Sequence, residues 1–158
     1  MAVELLRIDD RLIHGQVVEG WLPHLKAEHV VVWSGGDEVA RALMQMAMPP
    51  AVTLEVQPAA APLLSALADG PAKSKKTLVL VPGPAEALAL LEGGLSVAVV
   101  NVGGLHYNAG KVQLGKALFL DDADRRALAG IARRGVRLEG RALPSDPAED
   151  VAAALGAR

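Results

Sequence analysis

Three short runs, HVVVWS at 29–34, TLVLV at 77–81 and VAVVNV at 97–102, show no apolar–polar alternation. A strand with one wet face alternates with period two, so continuous apolar strands imply burial on both faces. Parallel sheets covered by helices on either side meet that requirement, and they need a crossover of a dozen or more residues between strands. The chain supplies such spacers. Strands are expected over Val3–Ile8, His29–Ser34, Val52–Val56, Thr77–Val81, Val97–Asn101, Ala117–Leu120 and Val136–Arg141, separated by alanine- and leucine-rich segments.

Several of those segments carry helix punctuation. Asp37 is placed to cap EVARALMQMAM, which Pro49–Pro50 closes, while PAEALALLEGG opens on proline and stops at Gly93–Gly94. DADRRALAGIARRG has acids in its first turn, arginines in its last and Gly135 as terminator, an order that suits the helix dipole. Asp146, Pro147 and Glu149 have the spacing of an N-cap, a first helical residue and a capping-box partner for a final helix. The alternation predicts one α/β domain over 1–158, an open, doubly wound, mostly parallel sheet of about seven strands with helices on both faces.

Composition narrows the chemistry. The chain has no cysteine, which excludes thiolate zinc sites and Cys nucleophiles. With 3% aromatic residues and a formal net charge of −2 it lacks the basic face and stacking platforms that nucleic acid demands, so no nucleic-acid partner is expected. No apolar run approaches the roughly 18 residues that cross a bilayer, and MAVELLR has no secretory pattern, so a cytoplasmic location is expected. His24, His29 and His106 show no metal-ligand spacing with His14, and neither a G-x-G-x-x-G nor a Walker pattern appears, so neither a metal nor a cofactor is expected.

In open α/β sheets ligands gather outside the carboxyl ends of the strands. The loop leaving the first strand, RIDDRLIHGQV at 7–17, holds the densest charge in the chain. His14 precedes Gly15, whose backbone is open to close approach. A helix starting at Gly15 or Gln16 would aim free N–H groups at an anion there. Arg7 and Arg11 bring permanent positive charge, and Asp9 and Asp10 can orient the arginines or fix the imidazole tautomer. Two readings follow from these residues alone: an imidazole that transiently carries a phosphoryl group, or a hydrogen-bonded loop histidine among turn and cap residues.

At RIDDRLIHGQV the sequence resembles the enzyme IIB components of the mannose/fructose/sorbose family of the bacterial phosphoenolpyruvate-dependent sugar phosphotransferase system (PTS). NVGG at 101–104, GK at 110–111, RRGVRLEGRALPSD at 133–146, DEVA at 37–40 and MAMPP at 46–50 extend the resemblance over essentially the whole chain, in order. It implies a phosphotransferase whose His14, phosphorylated on Nδ1, receives phosphate from the IIA phosphohistidine. His14 then passes it to a sugar held by the membrane IIC and IID components, with which the domain associates peripherally. It also implies that Arg11 contacts the phosphate. Arg7, Asp9, Asp10, Gly15 and Gln16 form its expected support, with Asp37, Asn101, Gly103 and Gly104 as candidate pocket residues. The chain departs from the family at Gly35–Gly36, which intervene before Asp37. It departs again at Pro23, which is expected to shorten or kink the helix after His14. A regulatory role, in which the phosphorylation state of His14 signals without driving transport, keeps the same motif. The docking face around His14 is expected to be locally basic, with Arg7, Arg11, Lys111 and Lys116 upon it.

Overall fold

A computed structural model describes residues 3–115 and 118–156. Seven strands form one sheet in the order β3-β2-β4-β1-β5-β8-β9. They are β1 (Val3–Asp9), β2 (His29–Trp33), β3 (Thr53–Gln57), β4 (Thr77–Val81), β5 (Val99–Gly104), β8 (Arg137–Gly140) and β9 (Glu149–Asp150). All neighbours pair in parallel except β8 and β9. The expected mostly parallel seven-stranded sheet is therefore present, with one member exchanged. Leu118–Leu120 (β7) pairs instead with Val112–Leu114 (β6) in a separate antiparallel hairpin, and Ala117 lies outside the described residues.

The two-sided burial of the strands has a direct cause in the helices. A π-helical turn, Gln16–Trp21, runs into α1 (Leu22–Leu25) and connects β1 to β2. The remaining helices are α2 (Glu38–Ala47), α3 (Ala60–Asp69), α4 (Pro84–Glu92), α5 (Asp122–Arg133) and α6 (Val151–Ala154). The connections β1→β2→β3 run toward one edge of the sheet, and β3→β4→β5→β8 run back. Right-handed crossovers then put the 16–25 helix and α2 on one face, and α3, α4 and α5 on the other. Packing follows suit: Val30, Val32, Leu78 and Leu80 cluster with Val17, Leu22 and Met48, whereas Val31, Val79 and Val81 cluster with Leu63, Leu67, Leu90, Leu128 and Ile131. Alternate residues of one strand thus serve opposite cores, each buried Leu or Val contributing about 2 kcal/mol.

Helix ends separate what is punctuated from what is not. Asp37 caps α2 by accepting from Ala40 N at 3.0 Å, and Asp121 and Asp124 make a reciprocal capping box on α5. Helix α3 starts at Ala59 with no side-chain cap, so nothing in its sequence marks the beginning. The final helix starts later than expected: Asp146 accepts from Leu143 N in a turn, Glu149 and Asp150 pair with β8, and Asp150 caps α6 through Ala153 N. A two-residue edge strand has taken the place of the first helical turn. Pro23 lies in the first turn of α1, where the π-helical path gives way to an α-helix that ends at Lys26, φ 51°.

His29, at the amino end of β2, serves the fold. It is buried, with Nδ1 2.7 Å from Thr53 Oγ1 and Nε2 left without a hydrogen bond, 3.7 Å from Glu55 Oε1. Burial lowers its pKa below the ordinary value, a shift that Glu55 opposes and Lys75 reinforces. The unfolded chain then binds the proton more readily, so stability present above about pH 6.5 is lost as pH falls toward the folded-state pKa. Urea unfolding should show the advantage of wild type over His29→Gln narrowing between about pH 7.5 and pH 5.5. A gap independent of pH would mean that His29 is not held neutral.

Candidate active site around His14

Strands β1 and β5 are neighbours whose chains leave toward opposite edges of the sheet, so the crevice at their carboxyl ends is the topological switch point. The loop carrying His14 leaves β1 there, and the loop carrying His106 leaves β5. Leu6 and Ile8 pack on the α3–α5 side. By strand parity Arg7 and Asp9 project to the other side, beneath the 16–25 helix. Arg7 pairs with Asn101 across the β1–β5 ladder, then the register slips, so that Ile8 faces Val102 but Asp9 faces Gly104. Gly103 is the extra residue of that bulge, and bulges re-aim side chains at such edges.

Arg7 is 0% exposed and its guanidinium is almost fully engaged. Nη1 donates to Asn101 Oδ1 at 2.6 Å and to the Arg141 carbonyl at 3.0 Å; Nη2 donates to Asp9 Oδ2 at 2.9 Å and to the Ala142 carbonyl at 3.1 Å. Its Nε has no hydrogen-bond partner, and the cation lies 5.1 Å from the centre of the Trp21 ring, a favourable cation–π distance. Trp21 Nε1 in turn donates to the Ala142 carbonyl. Burial draws Arg7 below its ordinary pKa, and the adjoining Asp9 carboxylate opposes that shift. The room for the guanidinium comes from Gly103, since a Cβ at that position would overlap it. The positive charge expected to face an anion is therefore turned inward and held on Asp9.

Asp9, also 0% exposed, passes this order to His14. Its Oδ2 accepts from Arg7 and lies 2.8 Å from His14 Nε2, while Oδ1 accepts from Arg11 N at 3.0 Å. A carboxylate paired with a guanidinium can only accept, so the network assigns the His14 proton to Nε2. In the neutral form of the ring the lone pair is then on Nδ1, in a side chain that is 14% exposed. Leu12, at φ 58°, bends the loop back through its N–H to the Asp9 carbonyl, and Leu12 and Ile13 pack on the core beneath, which sustains this left-handed turn.

Arg11 is the cation left at the surface, with 42% side-chain exposure; its Nη2 donates to Gln16 Oε1 at 2.8 Å and its Nε lies 3.8 Å from Asp9 Oδ1. Val17 and Val18 N–H groups bond the His14 carbonyl, so the N–H groups of Gly15 and Gln16 precede the first bonded turn and have no intrahelical acceptor. Space in front of Gly15 is open: a Cβ there would meet nothing within 4 Å. An exposed guanidinium, free N–H groups and an imidazole Nδ1 without a proton, all on one loop, suit transfer of an anionic electrophile.

Not every expected residue joins this arrangement. Asp10 does not bond His14; it bonds His106, which residue spacing did not connect to the loop. Asp37 is committed to capping α2, which follows β2, two positions from β1 in the sheet. Gly104 borders Asp9, and Asn101 acts from below through Arg7. Lys111 is drawn away from a basic face by Asp124, 3.3 Å from its Nζ, and Lys116 lies outside the described residues. Strand parity would have found the inward turn of Arg7, whereas the 141–142 carbonyls and Trp21 carry no sequence signal. Among the described residues no group of three or more His, Asp and Glu is placed to hold a metal ion.

Comparison with known proteins places the chain among similar sequences and folds. The family model described as PTS system sorbose subfamily IIB component matches residues 3–158. The sorbose-specific EIIB component of Lacticaseibacillus casei is 31% identical over 159 residues, spanning 98% of this chain and 96% of that protein. The mannose-specific EIIAB component of Escherichia coli K12 is 33% identical over 150 residues, covering 93% of this chain and 46% of the longer protein. The crystal structure of the IIBSor domain of the sorbose permease from Klebsiella pneumoniae superposes with a TM-score of 0.91 at 31% identity, covering 99% of this chain and 97% of that one.

Proposed function

The chain belongs to the sorbose-subfamily IIB components of the PTS, phosphotransferases of sugar uptake, and we propose that within such a system His14 is the residue that carries the phosphoryl group. The observation that supports this most is the Asp9–His14 bond of 2.8 Å on a carboxylate fixed by buried Arg7, because it leaves Nδ1 as the nucleophilic nitrogen. In the transfer, the Nδ1 lone pair attacks phosphorus on an incoming phosphohistidine of the IIA partner. The N–P bond to Nδ1 forms as the donor P–N bond breaks, and the donor ring keeps the electron pair. Asp9 holds the Nε2 proton throughout and offsets positive charge on the ring. Arg11 and the Gly15 and Gln16 N–H groups meet the phosphoryl oxygens. The sugar bound by the IIC and IID components then takes the group through a hydroxyl oxygen, the O–P bond forming as the P–Nδ1 bond breaks and the hydroxyl proton leaving to solvent, and Nδ1 regains its lone pair.

Two groupings support partners of this kind. The E. coli relative is an EIIAB protein more than twice as long as the aligned segment. No helix among the described residues is long and apolar enough to cross a membrane. Incubation with phosphoenolpyruvate, enzyme I, HPr and a cognate IIA, followed by mass mapping, should find one acid-labile, base-stable phosphoryl group on His14. A label confined to another histidine would overturn the assignment.

A further inference from the structure

Consecutive aspartates at the end of β1 each bind a different histidine. Asp9 takes Nε2 of His14, and Asp10 takes His106 twice: Oδ2 accepts the His106 N–H at 2.7 Å, and Oδ1 lies 2.5 Å from ring Nδ1. A third bond, from Asp10 N to the Gly104 carbonyl at 3.0 Å, closes the clasp between the β1 and β5 exit loops. The two dyads flank a single glycine: a Cβ on Gly104 would lie 3.6 Å from Asp9 Oδ2 and 3.6 Å from His106 Cε1. They differ in setting. Asp9 is buried and neutralised by Arg7, whereas Asp10 is 30% exposed and its only ion-pair partner among the described residues is His106, 54% exposed.

We propose that His106 is a positioning residue of phosphoryl transfer: it cancels the charge of Asp10 at the rim of the His14 site, so that an anionic phosphoryl donor meets Arg11 unopposed. The inference rests on His14 being the phosphoryl acceptor. Arg7 and Asp9 cancel internally, which leaves Arg11 and Asp10 to set the local charge. With His106 neutral they balance; with His106 protonated the rim carries one net positive charge. The charged groups facing the ring are Asp10 and, across Gly104, Asp9, while neighbouring Tyr107 is engaged edge-to-face with Phe119. With Nδ1 held on Asp10, Nε2 is the second nitrogen of a side chain that is 54% exposed.

The test uses phosphoramidate as a small donor, with mass detection of phospho-His14 across pH. Nδ1 of His14 displaces ammonia from phosphorus, so no partner protein enters the measurement. His106→Gln keeps an N–H donor for Asp10 but has no titrating charge. The ratio of wild-type to His106→Gln rates removes pH effects common to the two proteins. It should be about fivefold near pH 5.5 and fall to about one near pH 8.5. Its midpoint should coincide with the His106 ring titration followed by NMR. Adding Asp10→Asn removes the charge that His106 masks, so the double variant should recover at least the wild-type low-pH rate. A ratio that does not change with pH, or a double variant as slow as His106→Gln, overturns the inference and leaves His14 as acceptor. A wild-type protein with no label on His14 under phosphoramidate or the full phosphoryl chain overturns both.

Discussion

A chain with alanine at position 14 is expected to take up no phosphoryl group from the IIA partner, while its unfolding free energy stays within about 1 kcal/mol of wild type. The two halves of that result have separate causes. Nothing else at the site offers a nucleophilic nitrogen on the Asp9 relay. His29 is buried beside Thr53 at the amino end of β2, away from the site, and His24 meets Trp21 edge-to-face. His106 has its Nδ1 on Asp10. The fold, by contrast, takes little from the imidazole. Asp9 loses one hydrogen bond and keeps Arg7 and the Arg11 N–H, so no buried charge is stranded. Label retained at the wild-type level by His14→Ala would remove His14 from the mechanism. A loss of label accompanied by several kcal/mol of destabilisation would show that the ring is a structural element.

Much of this was legible from residue order, and the physical reasons for success and failure differ by element. The doubly buried strands announced the sheet because a parallel sheet covered on both faces is the arrangement that wants Val31 and Val32 apolar at once. Helix α2 announced itself through its cap Asp37 and α5 through the acids and arginines at its two ends, whereas the Asp121 cap emerges only from the structure, α3 begins at an alanine and α6 is displaced by a two-residue edge strand. At the site, the charge cluster of 7–17 stood out, but charge type alone does not say which way a side chain turns. Arg7 and Arg11 look alike in sequence. Parity along β1 sends Arg7 under the 16–25 helix, and the loop after Asp9 leaves Arg11 at the surface. The acceptors of Arg7 at Arg141 and Ala142 are main-chain carbonyls some 130 residues away in sequence, and carbonyls belong to every residue. The clasp of Asp10 and His106 depends on the β1–β5 register, which a bulge shifts by one.

That bulge is the basis of the second large effect. Gly103→Ala is expected to destabilise the protein by about 3–5 kcal/mol, the range for breaking a buried ion-pair network, and to reduce labelling of His14 with it. Nothing about the backbone at 103 calls for a positive φ. The constraint is the close approach of Arg7, whose guanidinium occupies the volume a methyl group would need. A flexible surface arginine would swing aside. Arg7 cannot do so freely, because four hydrogen bonds and the Trp21 ring hold it, and moving it takes from buried Asp9 the buried cation that balances its charge. The Asp9 carboxylate would then recover solvent or a proton, and the Nε2 proton of His14 would lose its fixed acceptor. If the clash with Arg7 is the cause, the effect of Gly103→Ala must depend on Arg7. In an Arg7→Met background, where Asp9 has already lost its buried cation, the methyl group meets a side chain with no fixed hydrogen bonds. The second substitution should then add less than about 1 kcal/mol, a strong departure from additivity between touching residues. Urea unfolding of the four proteins measures the coupling. Additive costs would place the strain of Gly103→Ala in the β5 backbone and release Arg7 from the role given to it.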